Sequence, residues 1–234
     1  MSDPLGAPRP ISMGDERLIE ALRAPGCPLC SHRERSGSDY LAAVLYEQVN
    51  DGGFRERLLS GGGFCPPHTR AALVLDKQHN GGVVGAAILF RAALGARRAA
   101  LSRATRSRRR GKSIREATGD APSCPVCEQE GKALQTAVHR LVEHSAQDAG
   151  WRGWLESSAW CLVHLGVLVD ALSELAPDIR PPFVQAQLAR LAEIEARLNG
   201  FVHHSSHDRR AQQTEQERRA VDEAAAALSG VRRP

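Results

Sequence analysis

An all-α fold is predicted for this chain on three observations. Ala, Leu, Arg and Glu, all good helix formers, are abundant. Apolar residues recur at three- and four-residue spacing along most of the sequence. No run alternates Val, Ile, Thr or Tyr with polar residues for more than a few positions. Aromatic residues are only 4% of the chain, so the core has to be built from Ala, Leu and Val, which suits closely packed helices.

In order, a segment broken by Pro4, Pro8 and Pro10 leads to a helix over 15–23, with Leu18, Ile19 and Leu22 on one face. Ala24-Pro25-Gly26 ends it. Tyr40, Leu41, Val44, Leu45, Tyr46 and Val49 predict an amphipathic helix that stops at Asn50-Asp51-Gly52-Gly53. A short helix over 54–59 follows, and Gly61-Gly62-Gly63 turns the chain. Helices are expected from His68 to the stop at Asn80-Gly81-Gly82, and over 83–101. Residues 102–122 read as a charged linker without apolar periodicity. The second half predicts a helix with Leu134, Val138, Leu141 and Val142, another over 164–175, and, after Pro177, Pro181 and Pro182, a third over 183–198. Past Asn199-Gly200, Thr214-Glu215-Gln216-Glu217 is a capping box that opens a last helix, and Gly230 stops it.

Cysteine is used in one constellation only. Cys27-Pro28-Leu29-Cys30 is followed by Cys65-Pro66-Pro67-His68, and Cys124-Pro125-Val126-Cys127 by Cys161-Leu162-Val163-His164. The two halves correspond further: Gly150-Trp151 matches Gly53-Phe54, and Trp160-Cys161 matches Phe64-Cys65. One internal duplication explains this. The chain then divides into a first metal-binding repeat (1–101), a basic linker (102–122), a second repeat (123–201), and a tail with a C-terminal helix (202–234). Within a copy, a Cys-x-x-Cys turn aims two sulfurs at one point, and Cys-x-x-His at a helix start places sulfur and imidazole on one face. Each copy therefore supplies a full tetrahedral Cys3His set, and each is expected to close its own site. The predicted ligands are Cys27, Cys30, Cys65 and His68 in one site, and Cys124, Cys127, Cys161 and His164 in the other.

Two zinc ions are the favoured occupants. Structural zinc contributes about 10–16 kcal/mol in small peptides, comparable to the roughly 5–15 kcal/mol that holds a whole domain together. Iron–sulfur clusters are the alternative, since three Cys and one His can hold one. Ser31 and Glu128 stand where a zinc knuckle usually has Gly, which keeps that alternative open. Thiol redox chemistry is a third reading, because Cys at a helix N-terminus has a lowered pKa. It leaves the two matched histidines unexplained. His203, His204 and His207 could add a metal ligand, although a polar tail is the expectation. His32, His79, His139 and His144 are expected at the surface, and Trp151, Trp154 and Trp160 as core plugs.

Other function classes find no support. The longest apolar run, Val83 to Phe90, is far short of the roughly 20 residues that span a bilayer. The N-terminus has no secretory pattern, so a cytoplasmic, reducing setting is expected. No phosphate-binding glycine loop, nucleophile elbow or paired-carboxylate site is present. The formal charge of +4 conceals an uneven distribution: residues 102–115 hold seven basic residues and no acid, which leaves the remainder at −3. That run could meet nucleic-acid phosphates, but it has no aromatic residue to stack on bases, and a solvated linker is favoured.

In its duplicated Cys-Pro-x-Cys…Cys-x-x-His layout, in His207-Asp208-Arg209-Arg210 and in the Thr214–Ala220 segment, the chain resembles an uncharacterised family of bacterial proteins. The likeness covers most of residues 20–230 apart from the linker. It implies a helical fold with two Cys/His sites and no particular activity. The functional expectation is a metal-binding interaction or regulatory module with an unidentified protein partner, leaning away from an enzyme. The alternative is an iron–sulfur or thiol-redox protein accessory to a metal-dependent enzyme.

Overall fold

Ten helices and no strand make up the described residues of the computed structural model, which are 13–106, 114, 123–206, 208 and 210–230. They are α1 (Met13–Arg23), α2 (Pro28–Ala43, continued by a π turn over Val44–Gln48), α3 (Gly52–Ser60), α4 (Pro66–Asn80) and α5 (Val84–Ala104). After the linker come α6 (Pro125–Gln147), α7 (Ala149–Ser157), α8 (Leu162–Leu175), α9 (Arg180–His203) and α10 (Glu215–Ser229). Most of the basic run lies outside the described residues, and its first members, Ser102 to Ala104, are the end of α5.

Two helices are much longer than periodicity suggested. α2 starts at Pro28 and α6 at Pro125, the proline after the first Cys of each pair. Proline is preorganised for a helix's first position, where its missing N–H costs nothing. The polar stretch Ser31–Asp39, with no apolar rhythm, is helical as well. Pro181 and Pro182 likewise lie in the first turn of α9 rather than ahead of it. That helix also continues through Gly200 to His203. The short helices α3 and α7 are capped alike. Asp51 Oδ1 accepts from Phe54 N at 2.5 Å, and Asp148 Oδ1 from Trp151 N at 2.9 Å.

The chain forms two units whose limits do not follow the sequence repeats: Met1–Arg33 with Ala133–Pro234, and Glu34–Lys132. In the first unit, Leu18, Ile19 and Leu22 of α1 share a core with Ala137, Val138, Leu141 and Val142 of α6. Trp151, Trp160 and Phe183 are its largest buried side chains, as the core-plug reading expected of the first two. Trp154 is only partly buried. Asp15, 1% exposed, joins the same helices by accepting from Arg140 at 3.1 Å and pairing with His144 at 3.2 Å. His144 is thus no surface residue: it also packs on Trp151 at 4.7 Å. α10 lies against α9 and α8, and Arg197 grips Glu223 through both terminal nitrogens. The predicted tail is therefore part of this unit. In the second unit, Leu41, Val44, Phe54, Leu58 and Leu89 form the core around which α3, α4 and α5 pack.

Candidate metal centres

All eight predicted ligands come together, but in a different pairing from the one the repeats suggest. Site 1 consists of Cys27, Cys30, Cys161 and His164; site 2 of Cys65, His68, Cys124 and Cys127. Each Cys-x-x-Cys meets the Cys-x-x-His of the other copy. Helix length is the physical reason. From Pro28 through Gln48 the chain advances about 31 Å at 1.5 Å per residue, and α3 measures only about 14 Å. α6 advances about 35 Å before an equally short α7. On the return, each Cys-x-x-His arrives beside the Cys pair of the other copy. The expectation that each repeat closes its own site is corrected accordingly.

The two Cys-x-x-His motifs are positioned by the same device. Cys65 and Cys161 are the N-cap residues of α4 and α8, both with extended backbone, so the imidazole three positions on shares their face. At site 1, His164 Nδ1 lies 3.3 Å from Cys27 Sγ, 3.2 Å from Cys30 Sγ and 3.4 Å from Cys161 Sγ, and Cys30 and Cys161 are 3.8 Å apart. At site 2, His68 Nδ1 lies 3.1, 3.5 and 3.3 Å from the sulfurs of Cys65, Cys124 and Cys127, and Cys65 and Cys127 are 3.6 Å apart. Within each site every ligand atom is within 4.8 Å of every other. A tetrahedral ion with metal–sulfur bonds near 2.3 Å and metal–nitrogen bonds near 2.0–2.1 Å requires sulfur–sulfur separations of about 3.8 Å and sulfur–nitrogen separations of about 3.5 Å. The four residues of each site thus fit one tetrahedral ion.

Protonation follows from crowding three thiols. At site 1 the Cys27 thiol is lowered to about 3, chiefly by a hydrogen bond with Cys30, against the opposing effect of burial. Cys30 is raised, mainly by that same bond, and Cys161 is raised by burial. At site 2 burial works against ionisation of Cys124, yet backbone N–H groups from Cys65, Cys127 and Val126, with His68, lower it on balance. Burial raises Cys65, and lifts Cys127 to about 12. Each metal-free site therefore favours one thiolate, because adjacent negative charges cannot accumulate without a cation.

Several residues outside the Cys/His pattern shape the sites. Glu130 Oε1 is 3.1 Å from Nε2 of His68, and a Cβ at Gly37 would stand 2.5 Å from that oxygen. At site 1, Gly230 ends α10 with φ +70, and a Cβ there would lie 2.8 Å from Cys30 Sγ and 3.0 Å from Cys161 Sγ. The backbone end of α10 is thus seated on the sulfurs. A cleft of about 790 Å³ beside site 1 is lined by Cys27, Trp160, Arg190 and Glu223, among others. At site 2, the Gly61 carbonyl accepts from Ser123 N, which brings the segment before Cys124 alongside the glycine loop before Cys65. A glycine in the middle of a polar helix was the one sequence sign of Gly37, since Gly there is disfavoured by about 1 kcal/mol. Glu130 carried no sign at all.

Among the described residues, no other histidine side chain joins either site. His204 pairs with Glu217 at 3.1 Å and meets His203 edge-on at 5.2 Å; His207 lies outside the described residues, as does the side chain of His79. His139 is exposed, 4.0 Å from Glu143.

The fold and sites together define an all-helical protein with two Cys3His groups able to hold metal ions, all six cysteines being unlinked. The chain belongs to a family of unknown function, DUF6062, whose model matches residues 21–231. No curated protein and no solved structure matches it. Among the described residues, no helix is long and apolar enough to cross a membrane.

Proposed function

We propose that this protein is a helical interaction or regulatory module held together by two structural zinc ions and working with a protein partner in the reducing cytoplasm. The observation that carries this reading is the closed ligand set. Each site offers four protein donors around a point, and zinc that performs catalysis keeps one position for water. The close approach of all four ligand atoms at each site also favours a single ion over a cluster, because bridging sulfides and additional irons would hold the thiolates farther apart. Three thiolates and an imidazole are a donor set that suits zinc. Metal would act here through folding: at site 1 it joins the starts of α2 and α8, on whose sulfurs the end of α10 is seated, and at site 2 the starts of α4 and α6.

The test is metal and sulfide analysis of the full chain purified without air, with a visible spectrum. Two zinc ions per chain and a colourless solution are expected. Replacement by cobalt should give the visible bands of a tetrahedral thiolate-rich site. A brown protein containing iron and acid-labile sulfide overturns the zinc assignment in favour of iron–sulfur chemistry.

A further inference from the structure

The two sites differ sharply in access. At site 1 Cys27, Cys30, Cys161 and His164 are 5%, 8%, 2% and 2% exposed, even with the cleft alongside. At site 2 only Cys124 is buried; Cys65 and His68 are half-buried, and Cys127 is exposed. The two accessible sulfurs are also neighbours, 3.6 Å apart. Cys124, by contrast, is covered and held by backbone amides of Cys65, Val126 and Cys127.

Resting on the zinc reading above, we propose that site 2 is an oxidation-sensitive centre at which a hydroperoxide joins Cys65 to Cys127 and expels the metal, while site 1 keeps its ion. Zinc does not change oxidation state, so its thiolates are the electron donors, and reaction follows their exposure. Cys127 attacks one peroxide oxygen, the O–O bond breaks, and the departing oxygen leaves as water or an alcohol after taking a proton. The sulfur is left as a sulfenic acid. Cys65 attacks that sulfur, the S–S bond forms, the S–O bond breaks, and hydroxide leaves as water with a second proton. Two thiolates lose two electrons, the hydroperoxide gains them, and two protons are consumed. Closing the bond moves the sulfurs from 3.6 Å to about 2.05 Å. His68 and Cys124 remain as the only ligands, too few to retain the ion. Because metal binding is coupled to folding, its loss loosens the starts of α4 and α6 within the second unit, and a dithiol reductant with zinc restores them.

The experiment uses the full chain carrying two zinc ions, treated with a few equivalents of hydrogen peroxide. Released zinc is followed with a chromophoric chelator, and the cysteines are mapped by alkylation and mass spectrometry. The expected result is release of one ion at least tenfold faster than the other, a Cys65–Cys127 linkage, and free thiols at Cys27, Cys30 and Cys161. Cys161→Ser, impaired at site 1, should still release the site 2 ion on oxidation; if that variant does not fold, the wild-type map decides alone. Simultaneous loss of both ions, oxidation at site 1 cysteines first, or retention of both ions under excess peroxide overturns the proposal while leaving the structural-zinc reading standing. A chain that binds no zinc before oxidation removes the zinc reading and this inference together.

Discussion

Glu130 holds His68 from behind. Its Oε1 is 3.1 Å from Nε2, while Nδ1 of the same ring faces three sulfurs. A proton on Nε2 directed at the carboxylate leaves the Nδ1 lone pair for a metal, the arrangement by which outer carboxylates orient ligating histidines. The carboxylate can occupy this place because Gly37 on α2 has no Cβ. Glu130→Ala should weaken zinc binding at site 2 by about 10–100-fold and leave site 1 unchanged, read by chelator competition. Gly37→Ala should show the same direction with little loss of melting temperature, since alanine favours the helix and the Glu130 side chain can swing away. Equal weakening of both sites would contradict the assignment.

The crossed pairing makes its own demand on double variants. Cys27→Ser with Cys161→Ser strips one site and should leave one zinc ion per chain. Cys27→Ser with Cys65→Ser damages both sites and should leave little or none. Pairing within repeats would reverse these two outcomes, so metal content by mass spectrometry under native conditions separates them.

Gly230 is held in a left-handed conformation against the site 1 sulfurs. Gly230→Ala adds a backbone penalty of about 1–2 kcal/mol, and a methyl group where Cys30 and Cys161 already stand. A lower melting temperature and faster zinc loss from site 1, with site 2 unaffected, are expected. Unchanged melting would show that the end of α10 does not seal the site.

Metal binding should be strongly pH-dependent, and the sign follows from the thiols. Before metal binds, Cys27 and Cys124 are lowered, while Cys30, Cys161, Cys65 and Cys127 are raised. Near neutral pH, the raised thiols must lose protons to become ligands: Cys30 and Cys161 at site 1, and Cys65 and Cys127 at site 2. Raising the pH therefore strengthens binding, and lowering it weakens binding by at least about 100-fold per unit in that range. Calorimetry in buffers of different ionisation enthalpy should count at least about two protons released per ion. A count near zero would mean that the thiols were already ionised.

Thr214 starts α10 with the capping box that its sequence announces, accepting from Glu217 N at 3.2 Å while Glu217 Oε2 accepts from Thr214 N at 2.9 Å. Thr214→Ala should cost about 0.5–2 kcal/mol, measured by denaturant unfolding. Because α10 ends on site 1, this loss at one end of the helix should also speed zinc release at the other.

The sequence alone determined the helical class, the eight Cys and His residues that come together in two groups, and the capped last helix. Each rests on short-range chemistry: three-residue ligand spacing, apolar periodicity and side chains that bond the next turn. It could not determine which of these residues share a site. That depends on how far α2 and α6 carry the chain, and the polar first half of α2 gave no periodic sign that it was helix. The parts played by Glu130, Gly37 and Gly230 were also beyond it, because each acts on a residue distant in sequence. Tertiary structure decided the pairing, the burial of site 1 and the exposure of Cys127. The physical reason is the same throughout: a long helix is a rigid spacer, and it sends each Cys pair to the other copy's Cys-x-x-His.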